Sequence, residues 1–352
     1  MDFTPPTKQD LTTQTLYSEL LDRVKIREAS RSLGHAPGGF VSKTIKGIPY
    51  IYFQASLPGG EFRQVYIGKQ SSDLEKLIDH YVKEKKSIEE EETYLQRLCA
   101  QLRVGGALLT EFSSGRVLSA LSNAGLFHGG GVLVGTHALP VLGNLLGARW
   151  VSGAVQTQDI DIALPPVQVV VPNQLDDVPS ALDRLKMGFL PVPALDPRNH
   201  SFSYKVRGQA LRVDVLTPAK GKEVSPIFFP QWNTAAQPLP YLDYLLSDPV
   251  PGLVISGGAV FVKVPQPARF ALHKLIVQGE RWAGDSARSA KDVHQSGQVL
   301  SLLLTERPGD IGLAWEGLKA MGSSWIKKAN LGMGLLEKSG FPHASELRKL
   351  FV

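Results

Sequence analysis

The stretch that most constrains this chain is Asp159-Ile160-Asp161-Ile162, followed by Ala163-Leu164. Side chains along an extended strand alternate between faces. Ile160 and Ile162 therefore share one side and can enter a core, while Asp159 and Asp161 are left together on the other. Two carboxylates held side by side repel, so ionising both is costly. A divalent cation relieves that cost, and hard oxygen ligands suit Mg²⁺ or Mn²⁺.

The neighbouring segments extend the pattern. Upstream, Val132-Leu133-Val134 reads as a buried strand that stops at Gly135-Thr136, and His137 to Leu146 is apolar at helical spacing. A glycine turn that opens a helix exposes backbone N–H groups, which suit phosphate. The plainer alternative is a helix cap, since Thr is a good N-cap; both can hold for Thr136. Downstream, Leu211 to Leu216 puts Val213 and Val215 on one face and Asp214 on the other. A strand with an Asp-x-Asp pair beside a strand with a single Asp can assemble a three-carboxylate, two-metal site.

These residues carry a family likeness. Gly135-Thr136, then Asp159-x-Asp161, then Asp214, resembles the nucleotidyltransferase superfamily with its polymerase-beta-like fold. The wording VGTHA, LGARW and TQDIDIAL is similar to a bacterial nucleotidyltransferase branch and to AbiEii-type toxins. Two departures stand out. Thr136 occupies a position where Ser is common, and the gap from Gly135 to Asp159 is long, which implies an inserted turn around Arg149 to Gln156.

The resemblance implies an α+β fold, with a nucleotidyltransferase mixed-sheet core and flanking helices. It implies an NTP substrate and Mg²⁺ or Mn²⁺ as cofactor. Asp159 and Asp161 would hold the metal that bridges the nucleotide phosphates, and both with Asp214 would hold a second, with Asp214 also a general base. Gly135 and Thr136 would contact the triphosphate. Related branches place a Lys and a later Lys-Asp after the core, and here Lys274 and Lys291-Asp292 match, with Arg281 between. Lys274 as a point charge on phosphate weighs evenly against a solvated helix face. Glu280 pairing with Arg281 or Lys291 would explain those cations without function, and His137 reads as an ordinary histidine.

The rest of the chain divides into an N-terminal unit (1–103), a catalytic core (104–220) and a C-terminal part (221–352). Residues 11–32 and 71–103 have helical spacing. Residues 38–69 are rich in aromatic and β-branched residues and read as a small antiparallel sheet, with a hairpin at Leu57-Pro58-Gly59-Gly60. There Tyr50, Tyr52, Phe62 and Tyr66 sit among Lys43, Lys46, Arg63 and Lys69. Such interleaving can stack bases and hold phosphates, but a small sheet also needs aromatics for its own core. Val167 to Val171 can extend the main sheet, residues 176–187 read as a helix, and Ser201 to Leu216 as a hairpin. Residues 217–250 are Pro-rich and read as an irregular excursion. A hairpin at 253–264 then leads into a mostly helical end, with Trp315, Leu318, Trp325, Leu335, Leu336 and Leu347 as core candidates.

Formal charge is +5, which mildly favours an acidic partner. Cys99 is the single cysteine, so no intrachain disulfide forms. The start lacks a signal-peptide pattern, no run is long enough to span a bilayer, and a cytoplasmic protein is the default. The expected activity is transfer of NMP from NTP to a hydroxyl acceptor, with RNA, such as a tRNA 3′ end, first. Protein AMPylation or small-molecule nucleotidylation comes next, and the toxin likeness suggests growth control or phage defence. The rival from another class is a non-catalytic nucleic-acid-binding module. Oligomeric state stays open.

Overall fold

The computed structural model describes residues 3–29, 38–56, 62–151, 158–166, 176–193, 196, 199–221, 225–280 and 286–351. The expected hairpin tip at 57–60, the β-branched run at 167–171, Arg281 and most of the expected inserted turn lie outside those residues.

The chain begins with a short strand β1 (Thr7–Lys8) and helix α1 (Leu11–Ala29), which buries Tyr17, Leu20, Leu21 and Val24. Three antiparallel strands follow, β2 (Gly38–Ile45), β3 (Ile48–Ser56) and β4 (Phe62–Lys69), in that order across the sheet. Lys46 and Gly47, both at positive φ (51° and 80°), make the two-residue turn that fixes the β2–β3 register. Helix α2 (Ser72–Val104) is capped by Ser71, whose hydroxyl accepts the Leu74 N–H at 3.3 Å. Its second half buries Leu95, Leu98, Cys99 and Leu102, while Leu77 in the first half is 44% exposed.

The central region runs α3 (Phe112–Asn123), β5 (Val132–Val134), α4 (Gly135–Leu146), β6 (Ala148–Arg149), β7 (Asp159–Ala163), α5 (Val178–Arg184), β8 (Phe189–Pro191), β9 (Ser203–Val206) and β10 (Arg212–Pro218). The Pro-rich segment that follows is not irregular. It forms β11 (Ile227–Phe229) and β12 (Thr234–Leu239), which join the main sheet, and a short helix α6 (Leu242–Leu245). One of its prolines, Pro238, lies within β12, level with Thr217 of β10; others fall outside the strands. Pro230 opens the turn between the two strands, Asn233 closes it at φ 47°, and Pro240 lies beyond β12. The chain then runs through hairpin β13 (Val250–Ile255) and β14 (Ala259–Val264) to α7 (Pro267–Glu280), α8 (Ser286–Glu306), α9 (Pro308–Ala320), α10 (Ser323–Lys338) and α11 (Ala344–Leu350).

The main sheet is mixed, in the order β11-β12-β10-β7-β5, with β8 and β9 paired onto the first half of β10. Strands β7, β10 and β12 are parallel, and β5 is antiparallel to β7. This is an α+β architecture consistent with the nucleotidyltransferase fold. The core contains Phe127, Trp232, Tyr244, Phe270 and Trp315, all fully buried. Helix α10 crosses α7 closely because Gly332 has no side chain; a Cβ there would strike the Leu275 carbonyl. Ala329, Gly332, Met333 and Leu336 make the inner face of α10, so Leu335, expected in the core, is 37% exposed instead. Among the described residues no helix is long and apolar enough to cross a membrane.

Candidate active site

In β7 the alternation falls as the spacing predicts: Ile160 and Ile162 are fully buried, Asp159 is exposed and Asp161 is half-buried. Strand β10 lies parallel to β7, with Asp214 level with Asp161, Val213 with Ile160 and Arg212 with Asp159. Residues level with one another on adjacent strands share a face, about 4.8 Å apart. Asp159, Asp161 and Asp214 therefore occupy one face of the sheet, and Arg212 lies among them.

On the other side of β7, Asp161 is level with Val134, the last residue of β5. Gly135 follows at φ 65°, and a Cβ there would collide with the Asp161 carboxylate. Only glycine lets α4 begin against that carboxylate. The N-cap of α4 is Val134, with no side-chain cap bond, so Thr136 lies in the first turn and is not the cap. The first-turn N–H groups of α4 therefore rise beside the acids.

The charges explain one another. Burial, then the charges of Asp214 and Asp159, push the Asp161 carboxyl up to about 7, against the pull of Lys274 and Arg212. Arg212 Nε donates to Asp214 Oδ1 at 2.7 Å and to Ser203 Oγ on β9 at 2.8 Å. Lys274 on α7 is not on a solvated helix face. Its side chain is 11% exposed, its Nζ lies 2.6 Å from Asp292 Oδ1 on α8, and it sits over the Phe270 ring. Gln278 Nε2 donates to the other Asp292 oxygen at 2.8 Å. Lys291 belongs to the same group: burial and the Lys274 charge lower its pKa, while Asp292 and Asp159 oppose that shift. Glu280 takes Lys328 and the Tyr241 hydroxyl, and Arg281, one of its expected partners, lies outside the described residues.

His137 is buried and neutral, its pKa lowered to about 4 mainly by burial, and its Nε2 meets no hydrogen-bond partner among the described residues. Glu111, which caps α3 by accepting the Ser113 and Ser114 N–H groups, and Lys291 both act on it electrostatically. His273 on α7 is buried, and burial pulls it down to about 3.

A hard cation suits the donor chemistry, three carboxylates on one sheet face with too little positive charge to settle Asp161. Among the described residues, however, no group of three His, Cys, Asp or Glu is arranged to hold a metal ion. Arg212 already engages Asp214 on that face. Arg212 escaped notice in the sequence, although its spacing of two from Asp214 places both on one face. Ser203 carried no such signal, because strand pairing brings it in, whereas Lys291 was named only through the family likeness.

Comparison with known proteins follows this geometry. Among solved structures, the chain is similar to an antigenic nucleotidyltransferase-like protein from Paracoccidioides brasiliensis, at 14% identity over 62% of this chain and 94% of that one. The TM-score is 0.31, a superposition too loose to argue from. No curated protein matches the chain. A family profile described as Nucleotidyltransferase matches residues 113–320, from the first turn of α3 to the end of α9. Covering well over half of the sequence and every residue of the acidic face, that match makes this chain a member of the nucleotidyltransferase family.

Proposed function

We propose that this transferase uses Mg²⁺ or Mn²⁺ to move an NMP unit from an NTP onto a hydroxyl of RNA, releasing pyrophosphate. The observation that carries this is the register of β7 and β10, which sets Asp214 level with Asp161 on the face that also bears Asp159. When bound there by the three carboxylates, a divalent cation would neutralise phosphate charge and make the attacking hydroxyl more acidic.

The protein's own groups do the rest. Asp214 accepts the hydroxyl proton as that oxygen bonds to the α-phosphorus and the bond to the bridging oxygen of pyrophosphate breaks. The N–H groups of Gly135 and Thr136, with the Thr136 hydroxyl, hold the triphosphate at the start of α4. Lys274 and Lys291 supply fixed positive charge for the departing pyrophosphate. Arg212 exchanges Asp214 for a phosphate oxygen as the nucleotide enters. Residues 104–220 form the catalytic unit, with 1–103 and 221–352 serving acceptor and nucleotide around it.

The test is label transfer. The protein is incubated with Mg²⁺ or Mn²⁺, each labelled NTP, and total RNA or cell lysate, beside Asp159→Ala/Asp161→Ala. Label should appear on RNA and vanish in the double variant. Persistence in the variant would remove the acids from the mechanism. Label on protein or on a small molecule, identified by mass spectrometry, would replace RNA as acceptor. One observation favours a second class, a nucleic-acid-binding module with a vestigial site: Asp214 is already satisfied by Arg212. Intact RNA binding with no transfer to any acceptor would select that alternative.

A further inference from the structure

The three-stranded sheet β2-β3-β4 has two unlike faces. On the back, Phe40, Phe53 and Tyr81 of α2 pack edge to face, with ring centroids 5.1 to 5.9 Å apart. That trio is the small sheet's core. The front therefore has no structural need of rings, yet it carries four. Register places Tyr66 level with Tyr52, Phe62 level with Ser56, and Lys69 level with Tyr50, so Tyr50, Tyr52, Tyr66 and Phe62 share that face. Tyr66 is 54% exposed and Phe62 is 62% exposed. The tyrosines meet one another, Tyr66 lying 5.5 Å from Tyr52 and 6.1 Å from Tyr50.

The charge is one-sided. Lys43 and Lys69 stand level with Tyr50 on the front and Lys46 lies in the β2–β3 turn, while Arg63, level with Ala55, is on the back; the strands hold no Asp or Glu among the described residues. Lys43 Nζ sits 5.2 Å over the Tyr52 ring and donates to Gln64 Oε1 at 2.5 Å. Gln64 in turn donates to Gln54 at 2.7 Å, which lays amide groups between the rings. Rings spaced along a cationic strand face are a stacking platform for unpaired bases. Amides at ring level can exchange hydrogen bonds with 2′-hydroxyls, which marks RNA from DNA. From Phe62 to Tyr66 the platform runs about 14 Å, room for two or three bases.

We propose that this front face docks single-stranded RNA, the acceptor of the proposed transfer. The inference rests on the RNA-directed reading for its purpose but not for its test.

Binding of a labelled eight-nucleotide RNA is measured by fluorescence anisotropy across a salt series, with single-stranded DNA and duplex RNA as competitors. Tyr66→Ala should weaken binding about 10-fold, the loss of one stacked base. Lys43→Gln/Lys69→Gln should lower the slope of log affinity against log salt by about 1.4, two phosphates' worth on a single strand. Circular dichroism melting of each variant identifies unfolding, and Phe62→Ala, at an exposed ring, gives an independent second loss. Unchanged affinity in folded Tyr66→Ala and Phe62→Ala would overturn the proposal, as would equal or tighter binding of DNA or duplex. RNA binding that weakens in the ring variants, with no transfer by the wild type, would leave the docking face standing and the transferase assignment fallen. Transfer onto RNA that is indifferent to the ring variants would do the reverse.

Discussion

Asp161→Asn should stabilise the metal-free protein, an unusual direction for a substitution inside a site. The folded-state pKa of Asp161 is raised from 3.8 to about 7 by burial and by its acidic neighbours. At about 1.36 kcal/mol per unit, ionising it in the folded protein costs about 4 kcal/mol more than in the unfolded chain. Its partial opening to solvent trims this to about 2–4 kcal/mol. Between pH 4 and 7 the folded state holds a proton that the unfolded chain has released, so stability falls as pH rises. The contribution is complete below about pH 4 and gone above about pH 7. Asparagine is neutral throughout and of the same shape, and escapes the loss. With about 2.1 cal/mol/K of unfolding entropy per residue, a chain of 352 residues gains roughly 3–5 °C in Tm at pH 8. The assay is thermal unfolding by circular dichroism in EDTA from pH 5 to 8. The variant's advantage should shrink steadily toward pH 5, and adding Mn²⁺ with NTP at pH 8 should reverse the order. A lower Tm than wild type at pH 8, or a difference independent of pH, would refute the reasoning and make the carboxylate a structural hydrogen-bonding group.

Lys274→Ala strands Asp292 in a half-closed pocket and should cost about 3 kcal/mol, with much of it recovered in Lys274→Ala/Asp292→Ala; urea denaturation of the pair of variants decides, and additive losses would mean the two do not interact. Gly135→Ala forces a positive φ and a collision with Asp161, so it should lose more than about 1 kcal/mol in the same assay. Wild-type stability there would mean that α4 begins farther from the acids. Arg212→Ala removes a cation from the acidic face, and Mn²⁺ alone should then bind several-fold tighter by calorimetry; unchanged affinity would place the ion elsewhere.

Period-two alternation was enough to separate Ile160 and Ile162 from Asp159 and Asp161, because one face of a strand must be buried and isoleucine tells which. It could not say that Asp214 stands level with Asp161, since strand order and register are set by the whole sheet. Local composition misled at residues 217–250, where prolines at the turn, within β12 and beyond it masked two sheet strands. Lys274 was ambiguous for a related reason: its burial depends on α8 crossing α7 and delivering Asp292. The same limit hid the division of rings in the N-terminal sheet, because Phe40 and Tyr50 look alike until a helix covers one face and not the other.

Helix α2 has a geometric consequence. From Glu92 onward it is clamped to α1, through Arg27 at 3.0 Å and through Tyr94, which donates to Glu19 at 2.7 Å. The turns before Glu92 reach out to the tyrosine-bearing sheet, making the helix a measuring rod with fixed pitch. Each residue adds about 1.5 Å of reach and about 100° of heading. Excising the seven residues from Lys83 through Glu89 would pull the sheet in by about 10 Å while keeping its heading within about 20°. Excising two would barely alter the reach, yet swing the sheet to face the opposite way.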